Sequence, residues 1–240
     1  MPILFERPAY EWVARVNQKH KQLAALALSA AQKQTLDRWL EIEFVYSTLR
    51  LAGEKIEREQ VARLVSAPAN QPGEVGAATQ LLDSLRTVTS MTREPGKESG
   101  LSVELLLKLN DLQGGRGFQS TDSTSKVKAE MLPVVLEGAC QWFSADSFAE
   151  LHPIEQAGIV LLRLIELRPF DEGNEKTALV AASLFTLRSG LPPIIIGVEA
   201  QPAYRAALNE GIRMNTKPMV ELMAESVERS LGLMILEARK

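Results

Sequence analysis

The stretch Leu167-Arg-Pro-Phe-Asp-Glu-Gly-Asn-Glu-Lys-Thr177 decides how this chain is read. Gly173-Asn174 supplies a tight turn followed by a helix N-cap. After it the apolar residues Leu179, Ala182, Leu184, Phe185 and Leu187 recur at helical spacing, and Gly190 with Pro192-Pro193 ends the run. A glycine turn at a helix N-terminus aims free backbone N–H groups and the positive dipole end at one spot. That is an anion site waiting for a ligand.

Outward from this loop the pattern is helical almost throughout. Residues 10–33 and 34–51 carry apolar side chains at three- and four-residue spacing with few breakers. Gly53 interrupts, 54–66 reads as a short helix, and 66–76 is a Pro- and Gly-rich linker. A helix over 77–89 and a loop over 93–100 follow. Ser102 caps a helix through Leu112, with Leu105 where a full capping box would need Glu or Gln. The Gly-, Ser- and Thr-rich residues 113–125 read as an exposed loop. Helices are expected over 128–144, 147–167, 203–216 and 218–238, the last with Pro218 in its first turn. Residues 191–198 are apolar enough for a short strand, but the double proline argues against one. No internal repeat is visible.

The chain has 240 residues, 45% hydrophobic and 24% charged, which is ordinary for a globular protein and enough for one large domain with an extension. A net charge of −3 gives no basic field for nucleic acid. One cysteine, Cys140, excludes an internal disulfide and a Cys-rich zinc site. The two histidines, His20 and His152, lie too far apart in sequence to suggest a metal centre. No apolar run reaches the roughly 18 residues of a membrane span. The first residues lack the basic-then-apolar order of a signal peptide, so a cytoplasmic protein is expected.

The loop resembles the signature of the Fic/Doc family, whose usual form is H-P-F-x-[D/E]-G-N-G-[K/R]-x-x-R. Pro169, Phe170, Glu172, Gly173, Asn174 and Lys176 match; Arg168, Glu175 and Leu179 depart from His, Gly and Arg. His152-Pro153 and the residues through Leu167 are similar to the helix before the family loop. Leu187-Arg-Ser-Gly-Leu-Pro-Pro193 is similar to the end of the helix after it. The resemblance covers roughly residues 100–230 and extends into the N-terminal third. It implies an all-α, Fic-like helical bundle with an N-terminal helical extension and one short β-hairpin flap. The corresponding division is residues 1–92 as the N-terminal region and 93–240 as the Fic-like domain.

The resemblance also assigns roles. The family histidine is the general base for adenylyl transfer to a protein hydroxyl, and Arg168 stands in its place. A guanidinium stays protonated and cannot accept a proton, a loss of about 10²–10⁴-fold in rate. Gly173, Asn174, Glu175 and Lys176 occupy the nucleotide-binding positions, and Glu172 the one that holds Mg²⁺. ATP and Mg²⁺ are therefore the implied cofactors. Glu175 sets a carboxylate where a phosphate should approach; at about 4 Å and a dielectric near 20 the repulsion is about 4 kcal/mol. Glu175 could instead fill the anion hole itself and pair with Arg168. Leu179 reads as core.

Upstream, Thr48-Leu-Arg-Leu-Ala52-Gly53 is similar to the family's inhibitory helix, with Ala52 in place of its glutamate. In the family that glutamate pairs with the arginine that Leu179 replaces. Losing both partners of an ion pair leaves room for an apolar contact between the same two elements. Gly115-Arg-Gly-Phe-Gln119 is a loose echo of the segment leading to the flap, with Phe118 its anchor and Lys126 and Lys128 beyond. Three functions are then open. One is a transferase-like scaffold with impaired or lost activity, binding nucleotide weakly. The second is an active nucleotidyl or phosphoryl transferase with another base. The third is a nucleotide-independent helical interaction module. The expected partner is an unidentified protein or a second copy in a homodimer, with neither nucleic acid nor membrane.

Overall fold

The computed structural model describes residues 10–67, 76–93, 100–119 and 127–239. Most of the 66–76 linker and of the 93–100 loop, and Lys126, lie outside the described residues. Eleven α-helices run along them: α1 (Glu11–Ala24), α2 (Ala30–Leu51), α3 (Arg58–Ser66), α4 (Ala77–Arg93), α5 (Val103–Leu112), α6 (Leu132–Phe143), α7 (Asp146–Ala149), α8 (Pro153–Leu167), α9 (Asn174–Leu187), α10 (Gln201–Ile212) and α11 (Lys217–Ala238). The architecture is all-α, and the described residues contain no strand.

Helix α9 is the axis of the bundle. Every residue from Thr177 to Thr186 is buried, so this helix is apolar on all sides because it is covered on all sides. Helices α8, α4, α5 and α2 pack around it. Ala178, Ala181 and Ala182 keep it slim enough for that. The crossing of α8 over α11 is close at Gly158, where an added Cβ would meet Val220 Cγ2 at 2.9 Å. One core cluster runs from Trp12 and Phe44 to Phe185 and Leu231, joining the N-terminal helices to the C-terminal ones.

The helix boundaries show which local signals prevail. The first two helices meet earlier than the apolar spacing suggests, because Ser29 starts α2 with a capping box. Its Oγ accepts from Gln32 N at 3.2 Å, and Gln32 Oε1 accepts from Ser29 N at 3.0 Å. The expected 147–167 helix is split into α7 and α8. His152 caps α8 by accepting from Ile154 N through Nδ1 at 3.2 Å, while Glu155 returns the bond to His152 N at 3.0 Å. Pro153 then occupies the first helical position. Ser102 caps α5 through Leu105 N at 3.1 Å, as read from the sequence.

Residues 191–197 are extended but join no ladder. Ile194, Ile195 and Ile196 are buried, and the backbone is held by side chains instead: Ile194 N donates to Ser183 Oγ at 3.0 Å, and Ser226 Oγ donates to Ile195 O. Of the expected 113–125 loop, residues 120–125 lie outside the described residues; in the rest Gly114 and Arg116 are exposed, while Gln113 and Gln119 at its two ends are buried. The expected β-hairpin flap is absent among the described residues. A single antiparallel bridge between Phe118 and Phe170 takes its place.

Candidate functional site

The site is built where α8 ends and α9 begins. Arg168 closes α8 in the left-handed conformation, φ 45° and ψ 58°. Gly173 opens α9 with φ +76°. The chain thus reverses between two left-handed residues, which a glycine adopts freely and an arginine does not. Gly173, rather than Asn174, holds the N-cap position. The Asn174 side chain braces the loop from inside. Its Oδ1 accepts from Phe170 N at 3.0 Å, and its Nδ2 donates to Phe170 O at 2.7 Å. Asn110 supports the other side, with Nδ2 donating to Glu172 O at 2.8 Å.

A strap from the end of α5 seals the back of the loop. Gln119 N donates to Pro169 O at 2.9 Å, and Gln119 Nε2 donates to Arg168 O. The rings of Phe118 and Phe170 stack with centroids 6.2 Å apart. Phe118 is therefore an anchor, as expected, but it anchors the strap to the loop.

The open side of the loop is a cleft of about 350 Å³. Arg168, Glu172, Gly173, Asn174, Glu175 and Lys176 all line it, and Ala52 faces them from the end of α2. Thr48 is buried one turn back in α2, and Gly53 turns the chain out of that helix at φ +88°. The residues singled out in the sequence thus converge, apart from Thr48, Gly53 and Phe118, which shape the surroundings.

Two pairings differ from expectation. Glu175 does not pair with Arg168. Its carboxylate lies 3.1 Å from Arg205 Nη1 on α10, and Arg168 has no ion-pair partner among the described residues. The phenol of Tyr204, wholly buried beside Glu175, is pushed well above its ordinary pKa by burial and by the Glu175 charge. Nor do Ala52 and Leu179 join α2 to α9 through an apolar contact. Ala52 is exposed on the cleft wall, while Leu179 is in the core with 1% of its surface exposed. The link is polar. Glu54, two residues past Ala52, binds Lys176 Nζ at 3.1 Å, and Arg205 Nη2 donates to Leu51 O at 2.7 Å. Arg205 therefore holds the end of α2 and the start of α9 together.

The chemistry open to this cleft follows. Its walls carry Asp171, Glu172, Glu54 and Glu175 against Arg168, Lys176 and Arg205. Two of the three cations are already matched with carboxylates. No described group of three or more His, Cys, Asp or Glu side chains could hold a metal alone. An exposed Glu172 beside a helix N-terminus does suit Mg²⁺ that arrives with phosphates, because this ion is commonly held by one or two carboxylates plus phosphate oxygens. His152 cannot stand in for a base at Arg168, since it lies at the opposite end of α8, roughly 24 Å along the axis.

Fold and cleft together define a helical bundle that presents a glycine loop and a helix N-terminus beneath the end of a neighbouring helix. Residues 100–186 match the family model described as Fic/DOC family. Over 112 residues the chain is 32% identical to protein adenylyltransferase fic-1 of Caenorhabditis elegans, covering 45% of this chain and 22% of that protein. The chain thus spans about a fifth of that relative's length. The solved Fic domain containing signaling protein from Bacteroides thetaiotaomicron superposes with a TM-score of 0.81 at 19% identity, covering 94% of this chain and 97% of that one. A variant of IbpAFic2 in complex with adenylylated Cdc42 superposes at 0.52 with 18% identity, covering 93% and 71%. Residues 100–186 thus carry the Fic/DOC family match, and the described chain shares the fold of the solved Fic domain containing protein.

Glu54, Tyr204, Arg205, Asn110 and Gln113 were not singled out in the sequence. Glu54 carried a signal, being an acid two residues beyond the alanine that replaces the family glutamate. Arg205 carried none, because it reaches the loop only through the docking of α10.

Proposed function

We propose that this chain is a Fic-family protein that admits a nucleotide polyphosphate with Mg²⁺ only weakly and is impaired in adenylyl transfer to a protein hydroxyl. The observation that carries this reading is the pairing of both Lys176 and Arg205 with carboxylates, Glu54 and Glu175, at the mouth of the anion loop. A phosphate entering there must displace one acid and tolerate the other. At the base position Arg168 can attract an anion but cannot take a proton. Glu172 is the residue that would hold the ion, and the free N–H groups at the start of α9 would face the phosphates.

In this role the protein acts as a scaffold whose partner is another protein. The IbpAFic2 complex with adenylylated Cdc42 supports a protein rather than a nucleic acid as that partner. Calorimetric titration of the wild type with ATP and Mg²⁺ tests the reading. Binding weaker than about 100 μM and no mass increase on candidate proteins supports it. Micromolar binding with measurable AMP transfer overturns it.

A further inference from the structure

Behind the loop, on the side away from the cleft, three polar side chains surround Gly173. Asn110, Gln113 and Thr177 are 0%, 8% and 1% exposed. A Cβ built on Gly173 would lie 3.2 Å from Asn110 Nδ2, 3.9 Å from Thr177 Oγ1 and 4.0 Å from Gln113 Oε1. Asn110 Nδ2 is bonded to Glu172 O. Asn110 Oδ1, both amide atoms of Gln113 and Thr177 Oγ1 have no hydrogen-bond partner among the described residues. Thr177 Oγ1 and Gln113 Oε1 meet at Gly173, whereas Asn110 Oδ1 lies against Gly115, where an added Cβ would collide with it; buried polar atoms without partners are costly unless something binds them.

Their chemistry selects the occupant. A cation would satisfy the oxygens and leave Gln113 Nε2 alone. An anion would satisfy that nitrogen and repel the carbonyl oxygen of Gln113. Exchanging the amide O and N of Gln113 changes nothing, since both atoms lack partners. The orientation of Asn110 is fixed by its bond to the Glu172 carbonyl. Only a small group that both donates and accepts fits, and water has that character.

We infer that an internal water site lies beneath Gly173, bridging Gln113 and Thr177 beside Asn110, and that it positions the loop. The missing side chain of Gly173 lets Asn110, Gln113 and Thr177 close around it, and the end of α5 with its cap supplies the first two. Because α5 also continues into the Phe118–Gln119 strap, the bound water couples the strap to the start of α9. This inference does not depend on nucleotide binding.

A high-resolution crystal structure of the full chain tests it directly. The expected result is a density peak about 2.7–3.2 Å from Gln113 and Thr177. Dry space, direct bonding among these side chains, or contacts near 2.4 Å typical of a cation would each overturn it. In solution, magnetisation transfer from a long-lived water to the Gly173 and Asn174 amides is expected in the wild type. It should vanish in Gln113→Leu/Thr177→Val, with shifts confined to the amides of the loop and strap. Wild-type transfer that is absent at these amides sinks the proposal even if the double variant fails to fold.

Discussion

Arg168 carries a backbone conformation that suits it poorly. At φ 45° a residue other than Gly, Asn or Asp is strained by about 1–2 kcal/mol. Arg168→Asn should therefore raise the melting temperature by a few degrees, roughly 1 kcal/mol for a chain of this size; unchanged melting would show that the strain is relieved elsewhere. Arg168→His alone should leave transfer undetectable, because Glu175 and Glu54 still occupy the cations. Glu54→Ala frees Lys176, and its ATP–Mg²⁺ affinity should rise several-fold in the same titration, with little change in stability because a partly exposed ion pair contributes only about 0–1 kcal/mol. An affinity equal to wild type would show that Glu54 does not hold Lys176 back from phosphate. At this scale the loop was legible because its glycine turn and matching residues are contiguous. The partners of Glu175 and Lys176 were not, since an ion pair between residues far apart in sequence leaves no local pattern.

At the scale of elements, α8 starts on a titratable cap. Burial lowers the His152 pKa, and the neutral ring accepts from Ile154 N while lying edge-on to Trp12 of α1. A folded-state pKa below the unfolded value means that the unfolded chain binds the extra proton first. The stability from this group is fully present above pH about 6.5 and is lost as pH falls below that toward the folded-state value. Denaturant melts at pH 7.5 and 5 should show a smaller loss for His152→Asn, which caps without titrating, than for the wild type; parallel losses would exclude the histidine as the cause. Helix identities were legible because long segments with few breakers end at clear stop signals, even where, as in α9, every side is apolar. Boundaries followed caps instead. Ser29-x-x-Gln32 and His152-Pro153 override apolar runs that continue through them, and 191–197 is held by Ser183 and Ser226, which no strand pattern reveals.

For the molecule as a whole, a single core joins the helices on both sides of the 66–76 linker. Cys140 is set within it, its thiol pushed up to about 12 by burial and by Glu137. A thiol reagent at pH 8 should therefore react with the native protein at least about a hundredfold more slowly than with the unfolded chain. Its rate across a denaturant series then reports the opening of the whole core. Fast labelling in water would mean that α6 opens independently of the bundle.

The clasp made by Arg205 gives the site a place in time as well as in space. The motif is complete by residue 179, yet its geometry depends on a bond from Arg205 back to Leu51, 154 positions away, and on one from Lys176 to Glu54, 122 positions away. A ribosome would display the whole signature while the end of α2 still had nothing to hold it. Lys176 has its partner Glu54 already upstream, but only after α10 is synthesised and docked does Glu175 acquire Arg205. For an interval during its own synthesis, the nascent chain carries a loop whose Glu175 charge has no cation against it, and so one that repels anions more than the loop the finished protein keeps.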